Sequence, residues 1–106
     1  MLASTPKPPY YAVIFTSLKS ENNKGYDEMA NKMMKLASEQ DGFLGVETAK
    51  ENIGITVSYW RDLESIRIWK ENEQHTVARS KGKSLWYSSF TTRIALVEKE
   101  YSFIKY

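Results

Sequence analysis

The stretch Tyr10 to Leu18 constrains this chain most. It is β-branched and aromatic throughout, with Tyr11, Val13 and Phe15 on one face and Ala12 and Ile14 on the other. A strand that is apolar on both faces has to be covered on both sides. Phe90 to Phe103 reads the same way, as one long strand with Ile94 and Leu96 facing one way and Ala95, Val97, Tyr101 and Phe103 the other. With 106 residues there is room for one domain and one core. Helices are therefore expected over one face of the sheet, and a second copy of the chain over the other.

Between those strands the pattern alternates in kind. Tyr26, Met29, Ala30, Met33, Leu36 and Ala37 recur at helical spacing, and Gly42 stands where a helix end would use a left-handed residue. Phe43 to Lys50 reads as a strand with Leu44, Val46 and Thr48 on one face. Glu51-Asn52 reads as a turn, and Ile53, Ile55, Val57 and Tyr59 form its hairpin partner. Asp62 is an N-cap with Glu64 in the first turn, followed by Leu63, Ile66 and Trp69 at helical spacing. Asn72 predicts an interruption, with a second short helical stretch from His75 to Gly82. The order is β-α-β-β-α-β, an α+β ferredoxin-like subunit with a four-stranded antiparallel sheet and both helices on one face. Residues 1–9, with three prolines, read as an extended leader, and residues 10–106 as a single domain.

Composition narrows the chemistry. Hydrophobic residues make up 42% and charged ones 26%, the balance of a soluble globular protein. Fifteen Lys and Arg stand against thirteen Asp and Glu, and the densest basic run, Arg79, Lys81 and Lys83, is too thin for a nucleic-acid footprint. The longest fully apolar run, Ala12 to Phe15, falls far short of the roughly 20 residues of a membrane helix. Residues 1–9 do not read as a secretory signal, and with no cysteine in the chain a cytoplasmic location is expected. The absence of cysteine excludes disulfides, thiolate metal sites and cysteine nucleophiles, and a single histidine excludes a two-histidine metal site. Gly42 and Gly45 match no dinucleotide fingerprint, and there is no glycine-rich phosphate loop. No metal, flavin or nicotinamide is expected.

What remains is aromatic. The chain has three Trp, seven Tyr and four Phe. Trp60 closes the third strand, Trp69 lies in the second helix, and Trp86-Tyr87 precede the last strand. Such residues fill a core, or line a cavity for a flat aromatic ligand. His75 alone titrates near neutral pH without help, and Arg79 follows it by one helical turn. Glu73, Gln74, Thr76 and Lys81 around His75 suit a solvated helix face equally well. Glu98 and Glu100 read as a solvated strand edge.

The residues Gly42-Phe43-Leu44-Gly45-Val46-Glu47, then Val57-Ser58-Tyr59-Trp60-Arg61-Asp62, Ile66, Trp69-Lys70, His75, Ala78-Arg79, Gly82 and Trp86-Tyr87 resemble the antibiotic biosynthesis monooxygenase superfamily from about Tyr10 to Phe103. The resemblance implies a dimeric α+β barrel of ferredoxin-like subunits. It also implies a cofactor-independent oxidation of a phenolic, quinol-like or polycyclic aromatic substrate by O2. On that reading His75 and Trp69 are the catalytic candidates, and Arg79, Trp60, Trp86 and Tyr87 bind substrate. Some relatives instead degrade haem. Their pattern has an asparagine in the first strand and an iron-binding histidine roughly three helical turns after the tryptophan. Here Trp69 matches, but Arg79 stands at the histidine's place, His75 comes earlier, and Val13-Ile14-Phe15 contains no asparagine. Haem as a substrate, or a ligand-binding or stress-related dimer without turnover, are the alternatives.

Overall fold

A computed structural model describes residues 2–21, 24–80 and 86–105, with the side chains of 75–80 outside that description. Six elements follow one another: β1 (Tyr10–Lys19), α1 (Tyr26–Ser38), β2 (Phe43–Lys50), β3 (Gly54–Trp60), α2 (Leu63–Ser80) and β4 (Tyr87–Val97). The strands form one antiparallel sheet in the order β2-β3-β1-β4. This is the expected ferredoxin-like α+β arrangement.

Register decides the two faces, because residues directly opposite in antiparallel strands share a side. Tyr11 pairs with Trp60 and Leu96, Val13 with Ser58 and Ile94, and Phe15 with Thr56 and Thr92. This is the side the helices cover. Met33, Leu36 and Ala37 of α1 and Ile66 and Trp69 of α2 pack on Tyr11, Val13, Phe43 and Trp60 in one cluster. Trp60 is fully buried, and its indole N–H is satisfied by Ser58 Oγ at 2.9 Å. Beyond its first residue, Tyr87, β4 is left largely uncovered by the helices. Its Phe90, Ile94 and Leu96 point to the helix side yet remain 44% to 49% exposed.

The opposite face carries Tyr10, Ala12, Ile14, Ile55, Val57, Tyr59, Ala95 and Val97, with no helix upon it. The leader and the residues after β4 reach over its Tyr10 end. Ala3 N–H donates to Glu47 Oε2 at 3.0 Å, and the Tyr10 hydroxyl donates to Glu100 Oε1 at 2.8 Å. Leu18 and Ile55 stay exposed on this face.

Five local expectations change. First, α2 runs unbroken for 18 residues. Asn72 does not interrupt it, because its Nδ2 donates to the Ile68 carbonyl one turn back and to Gln40 Oε1. Second, β4 ends at Val97 rather than Phe103. Its ladder partner β1 begins at Tyr10 opposite Val97, and the preceding Pro9 has no N–H to extend it. Tyr101 and Phe103 lie beyond, 91% and 86% exposed. Third, Glu100 is not on a strand edge but bonded to Tyr10. Fourth, α1 is capped at Glu39, and the left-handed Gly42 (φ +88°) serves the turn into β2 instead. Fifth, a bulge between Phe43 and Gly45 takes Leu44 out of the alternation, so Phe43 joins Val46 and Thr48 on the helix side. Asp62 behaves as expected, its Oδ1 accepting both the backbone N–H and the hydroxyl of Ser65 at 2.7 Å. Gly82 lies outside the described residues.

Candidate functional site

The helix-facing aromatics fall into two groups. In the first, Trp60 and Trp69 stack with ring centroids 6.1 Å apart and planes 21° from parallel, and Phe43 meets Trp60 edge-on at 5.5 Å. Trp69 is 8% exposed. Both tryptophans belong to the packed core described above.

The second group lies toward the far end of β1. Tyr26, the first residue of α1, meets Trp86 at 6.5 Å and Tyr87 at 5.6 Å, both edge-on. Phe15 contacts Tyr87 and Phe90 at 5.4 Å each. The Trp86 indole donates to the Lys24 carbonyl at 3.0 Å. Burial, then a hydrogen bond with the Tyr26 side chain, pushes the Tyr87 phenol well above the usual tyrosine range. Near neutral pH it therefore remains a hydrogen-bond donor, fit to hold an oxyanion rather than to act as a base.

The charge of Glu73 on α2 adds a smaller upward push on Tyr87. His75 and Arg79 follow Glu73 on the same helix. At about 1.5 Å per residue their Cα atoms lie about 3 and 9 Å further along its axis. Of the six candidates, the structure stacks Trp60 on Trp69 and gathers Trp86 and Tyr87 about Tyr26, while His75 and Arg79 belong to α2, their side chains outside the described residues.

Reading the sequence missed Tyr26, Lys19 and Lys50. The ammonium of Lys19 stands 4.4 Å from the Tyr26 ring centroid and that of Lys50 4.9 Å. The signal was available: Ser17 and Lys19 continue the period-two pattern of Val13 and Phe15, as Lys50 continues that of Val46 and Thr48. Both lysines thus end their strands on the side α1 covers.

The helix-free face holds a second polar network. The Tyr59 hydroxyl donates to Glu47 Oε1 at 2.6 Å. That bond, reinforced by the Ala3 N–H, holds the Glu47 carboxyl below its ordinary value. Burial, then the same bond, pushes the Tyr59 phenol up to about 12. Thr5 lowers the Tyr10 phenol, but burial and Glu100 outweigh it and the net shift is upward. Among the described residues no cluster of His, Asp and Glu is arranged to hold a metal ion, and no helix is long and apolar enough to cross a membrane.

Comparison with known proteins places this architecture. The chain is 50% identical over 101 residues to the uncharacterized protein YqjZ of Bacillus subtilis (strain 168), covering 93% of this chain and 89% of that one. Among solved structures, PA3566 from Pseudomonas aeruginosa superposes with a TM-score of 0.68 at 12% identity, over 91% of this chain and 99% of that chain. SnoaB, a cofactor-independent oxygenase from Streptomyces nogalater, gives a TM-score of 0.66 at 10% identity, over 92% and 100%. Those two likenesses are of fold alone. The antibiotic biosynthesis monooxygenase family model matches residues 9–81. On that match the chain belongs to the antibiotic biosynthesis monooxygenase family.

Proposed function

We propose that this protein is a cofactor-independent monooxygenase that oxidises a phenolic, quinol-like or polycyclic aromatic small molecule with O2, working as a cytoplasmic homodimer. Family membership carries the reading, and the shared fold with a cofactor-independent oxygenase supports it. His75 takes the phenolic proton, Arg79 holds the resulting anion, and the aromatic side chains keep the site dry. Tyr87, held protonated by burial, is a second donor for that anion. The anion then gives an electron to O2. With a methylene conjugated to the phenol, the balance closes without an added reductant. Both C–H hydrogens leave, one oxygen atom enters as C=O, and the other departs as water.

One observation favours a ligand-binding dimer without turnover. Trp60 and Trp69 stack against each other inside the core, which satisfies both without a substrate. The same packing disfavours haem as a substrate beside Trp69. Oxygen uptake by the purified protein with a panel of hydroquinones and polycyclic phenols, under chelation, decides between turnover and binding. Saturable uptake with one oxygen atom in the product supports the monooxygenase. Tight binding of the same compounds without uptake establishes the binding protein, and a Soret band with haemin followed by its loss under reductant establishes haem degradation.

A further inference from the structure

Beneath the N-terminal end of α1, on the helix side of the sheet, is a recess of about 250 Å³. Ser17 and Lys19 of β1, Lys50 with Glu51 and Asn52 at the β2–β3 turn, and Tyr26 of α1 line it. We propose that this recess is a binding site for a small oxyanion, held between the ammonium groups of Lys19 and Lys50.

Two lysines from different strands converge on one ring, 4.4 and 4.9 Å from its centroid. That ring does not move to suit them. Tyr26 is buried, and Trp86 and Tyr87 brace it edge-on. Like charges drawn to one ring repel each other, and an anion between them removes the repulsion. Glu51 is the only carboxylate among the lining residues. No ion pair joins it to either lysine, so the charges that line the recess sum to one positive charge. Ser17, 5% exposed, and Asn52 supply a hydroxyl and an amide, donors that complete the shell of a tetrahedral or carboxylate oxyanion.

Size and charge set the ligand class. Ordinary small-molecule pockets run about 300–1,000 Å³, so the recess lies just below that range, and its paired ammonium groups suit it to phosphate or a short carboxylate. The recess adjoins the Tyr26–Tyr87 group, but anion binding there is measured without turnover and stands or falls independently of the proposed oxidation.

Inorganic phosphate is the probe, titrated into the ¹⁵N-labelled protein with chloride at matched ionic strength as the control. The amides of Ser17, Tyr26, Lys50 and Gly54, the last of which also lines the recess, are expected to shift saturably with phosphate and not with chloride. Acetate distinguishes a general oxyanion site, in which the same amides move, from one selective for phosphate. In Lys19→Gln/Lys50→Gln the affinity is expected to fall at least about tenfold, as two charge-assisted contacts are lost. The same spectra report whether the variant is folded, and if it is not, each single variant is expected to weaken binding about threefold. Shifts that are absent, linear in phosphate, reproduced by chloride or unchanged in the folded variants overturn the proposal.

Discussion

Replacing Tyr59 by Phe removes one hydroxyl and leaves the ring, so its edge-on contact with Tyr10 at 5.8 Å persists. What is lost is a 2.6 Å hydrogen bond to an ionised carboxylate. Bonds to charged groups are worth about 1.5–3 kcal/mol. Glu47 is half-buried and keeps the Ala3 N–H, so the loss belongs at the lower end, about 1.5 kcal/mol. Urea unfolding of the wild type, Tyr59→Phe, Glu47→Ala and the double variant isolates the pair as a coupling energy. The pH dependence carries its own sign. The folded Glu47 carboxyl lies below its ordinary value of 4.5, so its contribution is present above that value and is lost as pH falls through the folded one. Tyr59 runs the other way. Raised to about 12 from 10.0, it contributes fully below 10.0 and loses that contribution as pH rises through about 12. The coupling is thus expected to be largest near neutrality and to shrink on acidification to that of a neutral bond, about 1 kcal/mol. A coupling below about 0.5 kcal/mol at neutral pH, or one indifferent to acid, refutes the reasoning.

Gly42→Ala combines a φ of +88° with a Cβ driven into the Ser65 side chain, whereas Gly25→Ala has φ +83° and open space. The Gly25 variant is expected to lose about 1 kcal/mol and the Gly42 variant distinctly more, read by thermal unfolding. Leu18 and Ile55 lie exposed on the helix-free face, so if the proposed dimer forms there, Leu18→Lys/Ile55→Lys is expected to leave a monomer at micromolar concentration by sedimentation velocity. A wild type that sediments as a monomer removes the dimer. For the proposed oxidation, His75→Ala is expected to cut turnover about 10²–10⁴-fold with an unchanged circular dichroism spectrum. Full activity in that folded variant removes His75 as the base.

Short-range patterns in the sequence carried much of this architecture. Period-two alternation located β1, β2 and β3, and the spacing from Tyr26 to Ala37 located α1. Asp62 announced the start of α2 because its capping bonds reach only three residues ahead. The larger misreadings depended on a neighbour distant in sequence, whereas the end of α1 at Glu39 is a local matter. Val97 ends β4 because of Tyr10 and Pro9 on another strand, and nothing in the alternation near Val97 carries that fact. Asn72 stays helical with help from Gln40 on α1. The site was legible as an aromatic inventory but not as a grouping. Whether Trp69 belongs with Trp60 or with His75 is decided by how α2 lies on the sheet, and Lys19 and Lys50 meet only across two strands.

The tie between the Tyr10 hydroxyl and Glu100, with Thr5 beside both, bears on the order of folding. It joins groups 90 residues apart in a chain of 106. Closing so long a loop is entropically costly until β1 and β4 have paired, so these bonds are expected to form late in folding. Interactions absent from the transition state act on the rate of unfolding and leave the rate of folding almost unchanged. The Thr5–Tyr10–Glu100 tie is therefore expected to act as a kinetic clasp, with Glu100→Gln raising the unfolding rate and leaving the folding rate almost unchanged.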